Sequence, residues 1–253
     1  MGFKAMTYNI LDGGVGREEM ILSVIQTAQP DIVVLQEVYS VEFVQYLATS
    51  LRMAFFFGDG NARRHVSLLS RFPIISAQSY HPFPPITRNV VEAQVECNSG
   101  SLVRVIGVRP VANLWLPFEL WRTWEARYIA NLLHKYPKQP CLIMGDFNAI
   151  APGDSIAVQS MPAWLRMMIW SQGGRPFSFS MQSYRAAGLI DCYRQLHPSD
   201  HGYTLPARNP NTRLDYAYAT PALVPFLTTC RVIREPEVVF QASDHLPIVV
   251  EFN

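Results

Sequence analysis

Isolated polar residues stand at the ends of apolar runs throughout the chain. Asn9 closes the run that starts at Phe3, Glu37 closes 32–36, and Asp146 and Asn148 follow the run 141–145. Asp215 precedes Tyr216, and Asp244-His245 precedes Leu246. Glu, Asp and Asn oxygens suit a hard divalent cation such as Mg²⁺ or Mn²⁺, and a single His beside an Asp suits proton handling or stabilisation of transition-state charge. Any one of these carboxylates alone is an ordinary turn or helix cap. Their recurrence at the same topological place, where a sheet holds its loops, marks a reaction centre. Other chemistries lack their signatures: no GxSxG, no Walker A and no GxGxxG occurs.

The elements that must position these residues are short. Residues 3–10 alternate in period two and read as a strand, with Thr7 and Asn9 on the face of Phe3 and Ala5. Met20, Ile21, Val24, Ile25 and Ala28 recur at helical spacing within 17–29, and Pro30 stops them. Residues 31–37 form a continuous apolar run, as in a strand covered on both faces. A helix over 41–51 and strands at 54–57, 66–70 and 74–75 follow, then strands at 90–97 and 102–108 joined at Asn98-Ser99-Gly100. A helix over 118–134 leads into a strand at 141–144, and later strands are expected at 214–219, 230–233 and 246–252. About ten strands and four or five helices result. The stretch 152–188 is rich in Met, Trp, Ser and Gly and reads as an elaboration on the core, with a helix at 162–170.

The chain has 253 residues, 49% of them hydrophobic and 16% charged, which is too apolar for disorder and long enough for a full core. Lys and Arg number 21 against 20 Asp and Glu, so a net charge of +1 provides no overall field toward nucleic acid or anionic lipid. Cys97, Cys141, Cys192 and Cys230 form no CxxC and no Cys/His cluster, which argues against zinc or a disulfide framework. No apolar run reaches signal-peptide or membrane-spanning length, so a cytoplasmic, reducing location is expected, with no transmembrane segment and a monomeric state. No repeat or boundary linker divides residues 1–253, and one domain is the simplest reading.

Six pieces now carry a resemblance: Thr7-Tyr8-Asn9-Ile10, Leu35-Gln36-Glu37, Leu69-Ser70-Arg71-Phe72-Pro73-Ile74, Gly145-Asp146-Phe147-Asn148-Ala149, Arg213-Leu214-Asp215-Tyr216 and Ser243-Asp244-His245-Leu246-Pro247. In this order and over nearly the whole chain, they resemble the endonuclease/exonuclease/phosphatase superfamily. That group includes deoxyribonuclease I, exonuclease III-type abasic endonucleases, neutral sphingomyelinases and inositol polyphosphate 5-phosphatases. The resemblance implies an α/β (α+β) fold of the deoxyribonuclease I type: a four-layer sandwich of two packed, mainly antiparallel β-sheets flanked by helices.

It also implies roles. Glu37 resembles the family's metal-ligand glutamate, with Asn9 supporting that site and the substrate phosphate and Asp244 as an additional metal-site carboxylate. Asp146 is similar to the aspartate that activates or positions the attacking water, and Asn148 to the asparagine that contacts phosphate oxygens. His245 resembles the histidine that binds the scissile phosphate, oriented by Asp215, whose charge favours imidazolium. One position departs. Many relatives end the strand before the long helix in His or Tyr, whereas this chain has Arg109-Pro110; Arg109 either donates to the phosphate or marks altered activity. Asn113 does not match a family Asn cleanly and stays outside the catalytic set, while Arg88 and Asn89 read as cleft-facing or as a solvated turn.

The implied activity is Mg²⁺- or Mn²⁺-dependent hydrolysis of a phosphoester by in-line attack of water, on a phosphodiester with nucleic acid among the substrates. A phosphatase or lipid phosphodiesterase of the same superfamily is the alternative, and a catalytically silent binding protein is the third reading. Arg63-Arg64-His65, Arg104 and Arg109 are the suggestive basic positions, too few for avid duplex binding. Met161, Trp164, Leu165, Met168, Ile169 and Trp170 either pack on the core or cap a substrate.

Overall fold

Strands that are apolar on both faces need cover on both sides, and the chain meets this by stacking two sheets and backing each with helices. The computed structural model describes residues 2–59, 63–81, 90–136 and 139–253. In chain order the elements are β1 (Phe3–Asn9), α1 (Glu18–Ala28), β2 (Ile32–Val38), α2 (Val41–Leu51), β3 (Ala54–Gly58), β4 (His65–Ser70), β5 (Ile74–Tyr80), β6 (Val90–Cys97), β7 (Ser101–Val108) and α3 (Leu116–His134). Then come β8 (Cys141–Asp146), α4 (Ala163–Ser171), α5 (Phe179–Ala186), β9 (Ile190–Asp191), α6 (Cys192–Leu196), β10 (Asp215–Ala219), β11 (Leu227–Val232), α7 (Val239–Ala242) and β12 (Ile248–Phe252).

One sheet runs β11-β12-β1-β2-β4-β3 and the other β5-β6-β7-β8-β10-β9. The β1–β2 and β7–β8 pairs are parallel and the rest antiparallel, so the mainly antiparallel, four-layer α/β architecture holds. Ala5, Val34 and Val66 meet Ala93, Val105, Met144 and Ala217 between the sheets. Met6, Val33 and Leu35 face the opposite way, onto α1, α2 and α7, and Ile106, Ile143 and Tyr218 face α3 and α5. The sheets pack closely at Gly107, where an added Cβ would lie 2.7 Å from Val34 and 2.9 Å from Val66.

Twelve strands and seven α-helices lie among the described residues, more than the ten and four or five expected. The extra elements have weak local patterns. Strand β9 has two residues, α7 has four, and α5 is a polar segment, Phe-Ser-Met-Gln-Ser-Tyr-Arg-Ala, that holds its place through α3. The apolar set of α4 divides. Met161, Met168 and Ile169 are buried, whereas Trp164 and Trp170 turn outward, so packing on the core describes only part of the set. The four cysteines are buried free thiols, and no helix among the described residues is long and apolar enough to cross a membrane.

Gly145 shows how tightly the site end is built. A Cβ there would stand 1.9 Å from the Val108 carbonyl oxygen of the paired strand, so any side chain forces β7 and β8 apart. Gly145→Ala is expected to cost about 3 kcal/mol, at the upper end of overpacking penalties, and to displace the adjacent Asp146. Chemical denaturation checks the first effect; a variant as stable as its parent would show that β7 tolerates the shift.

Candidate active site

The polar strand ends converge at one edge between the sheets. Asn9 ends β1, Glu37 lies near the end of the parallel strand β2, and His245 precedes β12, which runs antiparallel to β1. From the facing sheet, Arg109 follows β7, Asp146 ends β8 and Asp215 opens β10. Asp146 and Asp215 are register partners across the β8–β10 ladder, which holds their side chains on the same face. Strand parity aims most of these groups between the sheets: Asp146 follows Leu142 and Met144, and Asp215 precedes Ala217 and Ala219, all on the inter-sheet face.

Glu37 reaches the site by another route. Alternation along β2 would send it with Val33 and Leu35 toward the helices. The ladder to β4 slips between Gln36 and Val38, and Glu37 has φ 64°. This bulge takes Glu37 out of the alternation, at a backbone cost of about 1–3 kcal/mol for a left-handed non-glycine residue. Asn148 is also left-handed, at φ 49°. Two strained residues at one strand-end cluster are a feature of functional sites.

Hydrogen bonds tie the cluster together. The Asn9 Nδ2 group donates to Asp146 Oδ2 at 3.0 Å and lies 3.4 Å from Glu37 Oε1. Asn148 donates its backbone N–H to Asp146 Oδ1 at 2.9 Å and its Nδ2 group to Oδ2 at 3.0 Å. His245 Nδ1 and Asp215 Oδ2 are 2.9 Å apart, which leaves Nε2 as the ring nitrogen for a ligand. One ligand atom from each of Asp146, Asp215 and His245 falls within 4.8 Å of the others, and all three residues are buried. Asp244 makes no direct bond to this group; burial raises its carboxyl above the ordinary value, with Glu37 and Asp215 adding to the rise against the pull of His245.

Charge is unevenly balanced here. Burial pushes the Asp146 carboxyl up to about 6, against the lowering effect of His245 and with the Asp215 charge adding to the rise. Burial alone would lower the His245 imidazole, but Asp215 and Asp146 raise it to about 10. Burial would raise Glu37, yet Arg109, the Asp12 N–H and Arg64 bring it below the usual carboxylate range. Arg109 Nη2 donates to Glu37 Oε1 at 2.5 Å, while Nε and Nη1 are buried with no partner among the described residues.

Of the supporting residues, Asp12 and Thr204 are not marked as site residues by the sequence, whereas Arg64 and Ser243 stand in the runs Arg63-Arg64-His65 and Ser243-Asp244-His245. The Asp12 N–H donates to Glu37 Oε2 at 3.0 Å, and Arg64 reaches the same oxygen at 3.4 Å while pairing with Asp12. Ser243 Oγ donates to the Asn9 carbonyl at 2.7 Å and accepts the His245 N–H at 3.2 Å, joining β1 to the histidine. Thr204 Oγ1 accepts from the N–H groups of Leu214 and Asp215. Arg104 is corrected as a substrate-facing cation: it is buried against Glu92 and stacks over Tyr136. Asn113 is exposed and accepts from the Trp115 N–H, outside the cluster. Arg88 and Asn89 lie outside the described residues.

The family model described as "Endonuclease/Exonuclease/phosphatase family" matches residues 6–245. Among solved structures, an AP endonuclease from Archaeoglobus fulgidus superposes with a TM-score of 0.78 at 18% identity over 99% of each chain. The 3'-5' exonuclease NExo from Neisseria meningitidis gives 0.76 at 24% identity over 99% of each chain. TDP2 from D. rerio, complexed with a single strand DNA product, gives 0.71 at 19% identity over 100% of this chain and 99% of that one. At these identities the likeness is one of fold. A search of curated proteins finds no match to the chain.

Proposed function

Since the chain belongs to the endonuclease/exonuclease/phosphatase family, whose members act on phosphoester bonds, we propose that it is a divalent-metal-dependent phosphodiesterase that cleaves a P–O bond by in-line attack of water. The observation that carries this reading is the buried Asp146–Asp215–His245 group beside Asn9, Glu37 and Asn148.

The donor set fits a hard cation. Glu37, Asp146, Asp215 and Asp244 offer only oxygen, Asp215 Oδ1 is buried with no partner among the described residues, and burial with mutual repulsion already raises Asp146 and Asp244. Glu37, Asn9 and Asp244 would hold Mg²⁺ or Mn²⁺, beside the Arg109 guanidinium that pairs with Glu37. Bound there, the cation supplies Lewis-acid stabilisation of phosphoryl charge.

The chain's own residues do the rest. Asp146, fixed by the amides of Asn9 and Asn148, orients the water and takes its proton as the new O–P bond forms and the leaving-group P–O bond breaks. His245, kept as imidazolium by Asp215, donates from Nε2 to the phosphoryl oxygen that gains charge. Asn148 and the free donors of Arg109 bind the remaining phosphoryl oxygens.

The assay is hydrolysis of bis-p-nitrophenyl phosphate, of the monoester p-nitrophenyl phosphate, and of plain and abasic DNA with Mg²⁺, Mn²⁺ or EDTA. Turnover with either metal and its loss in EDTA are expected. No hydrolysis with any metal would leave a silent binding protein, and activity confined to phosphomonoesters would make it a phosphatase. In the same assay kcat/KM is expected to rise as Asp146 loses its proton near pH about 6 and to fall toward about 10 as His245 loses its own. A profile flat across the acid limb would remove Asp146 as the base.

A further inference from the structure

All five tryptophans lie in residues 115–124 and 164–170. Four of them are exposed, Trp170 by 80% and Trp164 by 66%. Along α4, Trp164, Met167 and Trp170 recur every third residue on the outer face, while Met168 and Ile169 are buried beneath. Along α3, Leu116, Leu120 and Trp124 recur every fourth residue and are also exposed, with Glu119, Thr123 and Ala126 buried behind them. The α4 stripe is the more exposed of the two. The first turn of α5 docks on the first turn of α3, where the backbone N–H and Oγ of Ser180 donate to Glu119 Oε1 at 2.8 and 2.9 Å. Residues 172–178 join α5 to α4, and the exposed Phe179 stands at the junction.

The exposed charges of the segment that carries both stripes have one sign. Between 110 and 190 the acidic residues are Glu119, Glu125, Asp146 and Asp154, and none presents a carboxylate to solvent: the first three are buried, and the Asp154 side chain is 3% exposed and paired with Arg194 and Arg213. Arg127, Arg166, Arg175 and Arg185 are exposed. An exposed apolar face rich in Trp, in a segment whose exposed charges are cationic, matches the interface of an anionic bilayer, where indole rings sit at headgroup level and arginines meet lipid phosphates. Single-stranded nucleic acid fits less well, because Leu116, Leu120 and Met167 interrupt the aromatic rings and offer no stacking plane. A second copy would bring like charges together.

We propose that this face is a docking surface for a bilayer containing anionic phospholipid. It lies one loop from the candidate active site: the Pro110 carbonyl accepts from Asn148 Nδ2 at 3.2 Å, and Arg122 donates to the Val111 carbonyl at 2.9 Å, so the segment from Arg109 to α3 is held between the two. Binding to a bilayer does not require turnover, so its failure and the failure of the phosphodiesterase reading are separate results.

The test is co-sedimentation of the full chain with phosphatidylcholine vesicles, with and without phosphatidylglycerol, followed also by tryptophan emission. Sedimentation with the phosphatidylglycerol vesicles and a blue shift are expected, weakening as salt rises. Trp170→Ala and Trp164→Ala should each lower partitioning by about tenfold, with melting temperatures unchanged because both side chains stand in solvent. Absence of binding to either vesicle overturns the proposal, as does equal binding by the variants. So does an emission shift produced by oligothymidylate and not by vesicles, which would make this a nucleic-acid face, or a dimer that loses its contact in Trp170→Ala.

Discussion

Replacing His245 with Asn is expected to lower kcat for a phosphodiester by about a thousandfold, the scale of losing a positioned donor to developing negative charge together with its proton. Asparagine is chosen because its amide nitrogen takes roughly the place of Nδ1. The bond to Asp215, 2.9 Å in the parent, can persist while Nε2 and the positive charge are lost. Asp146→Asn should fall by a similar factor, since it keeps the shape of the side chain and removes the proton acceptor. The two residues act in one step, so the double variant should lose little more than either single one. Single-turnover rates with saturating Mg²⁺ decide the matter, and activity within tenfold of the parent in either variant would place the chemistry elsewhere.

Arg213→Met is expected to lower stability by about 3–5 kcal/mol, the cost of leaving buried carboxylates without their partner. The Arg213 side chain is fully buried. Its Nε and Nη2 donate to Asp154 at 2.8 and 3.1 Å, and its Nη2 and Nη1 donate to Asp191 at 2.6 and 3.1 Å. Its guanidinium also lies 4.4 Å from the Tyr216 ring centroid. For a chain of this size the loss corresponds to a fall in melting temperature of roughly 10 °C. Arg213→Lys should recover little of it, because one ammonium cannot span two carboxylates. Calorimetry reads the effect directly, and a Met variant that melts with the parent would mean that Asp154 and Asp191 are held by Arg194 and the backbone alone.

The same arginine separates local from tertiary information. Arg213-Leu214-Asp215-Tyr216 is legible as a motif, and Asp215 as a residue aimed at the site, because strand parity is a local property. That Arg213 points away, pinning the start of the 152–188 segment through Asp154, depends on contacts between residues 59 and 22 positions apart. The outward turn of Trp164 and Trp170 was hidden for a related reason. Apolar spacing marks which residues share a helix face, but here buried and exposed faces are both apolar.

By itself the sequence determined the run of strands and helices, the polar residues at their ends and the oxygen-rich chemistry those residues offer, since periodicity and residue type are written along the chain. The tertiary structure decided which of them meet. Asn9 reaches Asp146 across 137 residues and Arg109 reaches Glu37 across 72, because two sheets bring the same ends of their central strands together. It also decided the face of Glu37. Alternation along β2 points that side chain to the helices, and only the bulge against β4 turns it into the site.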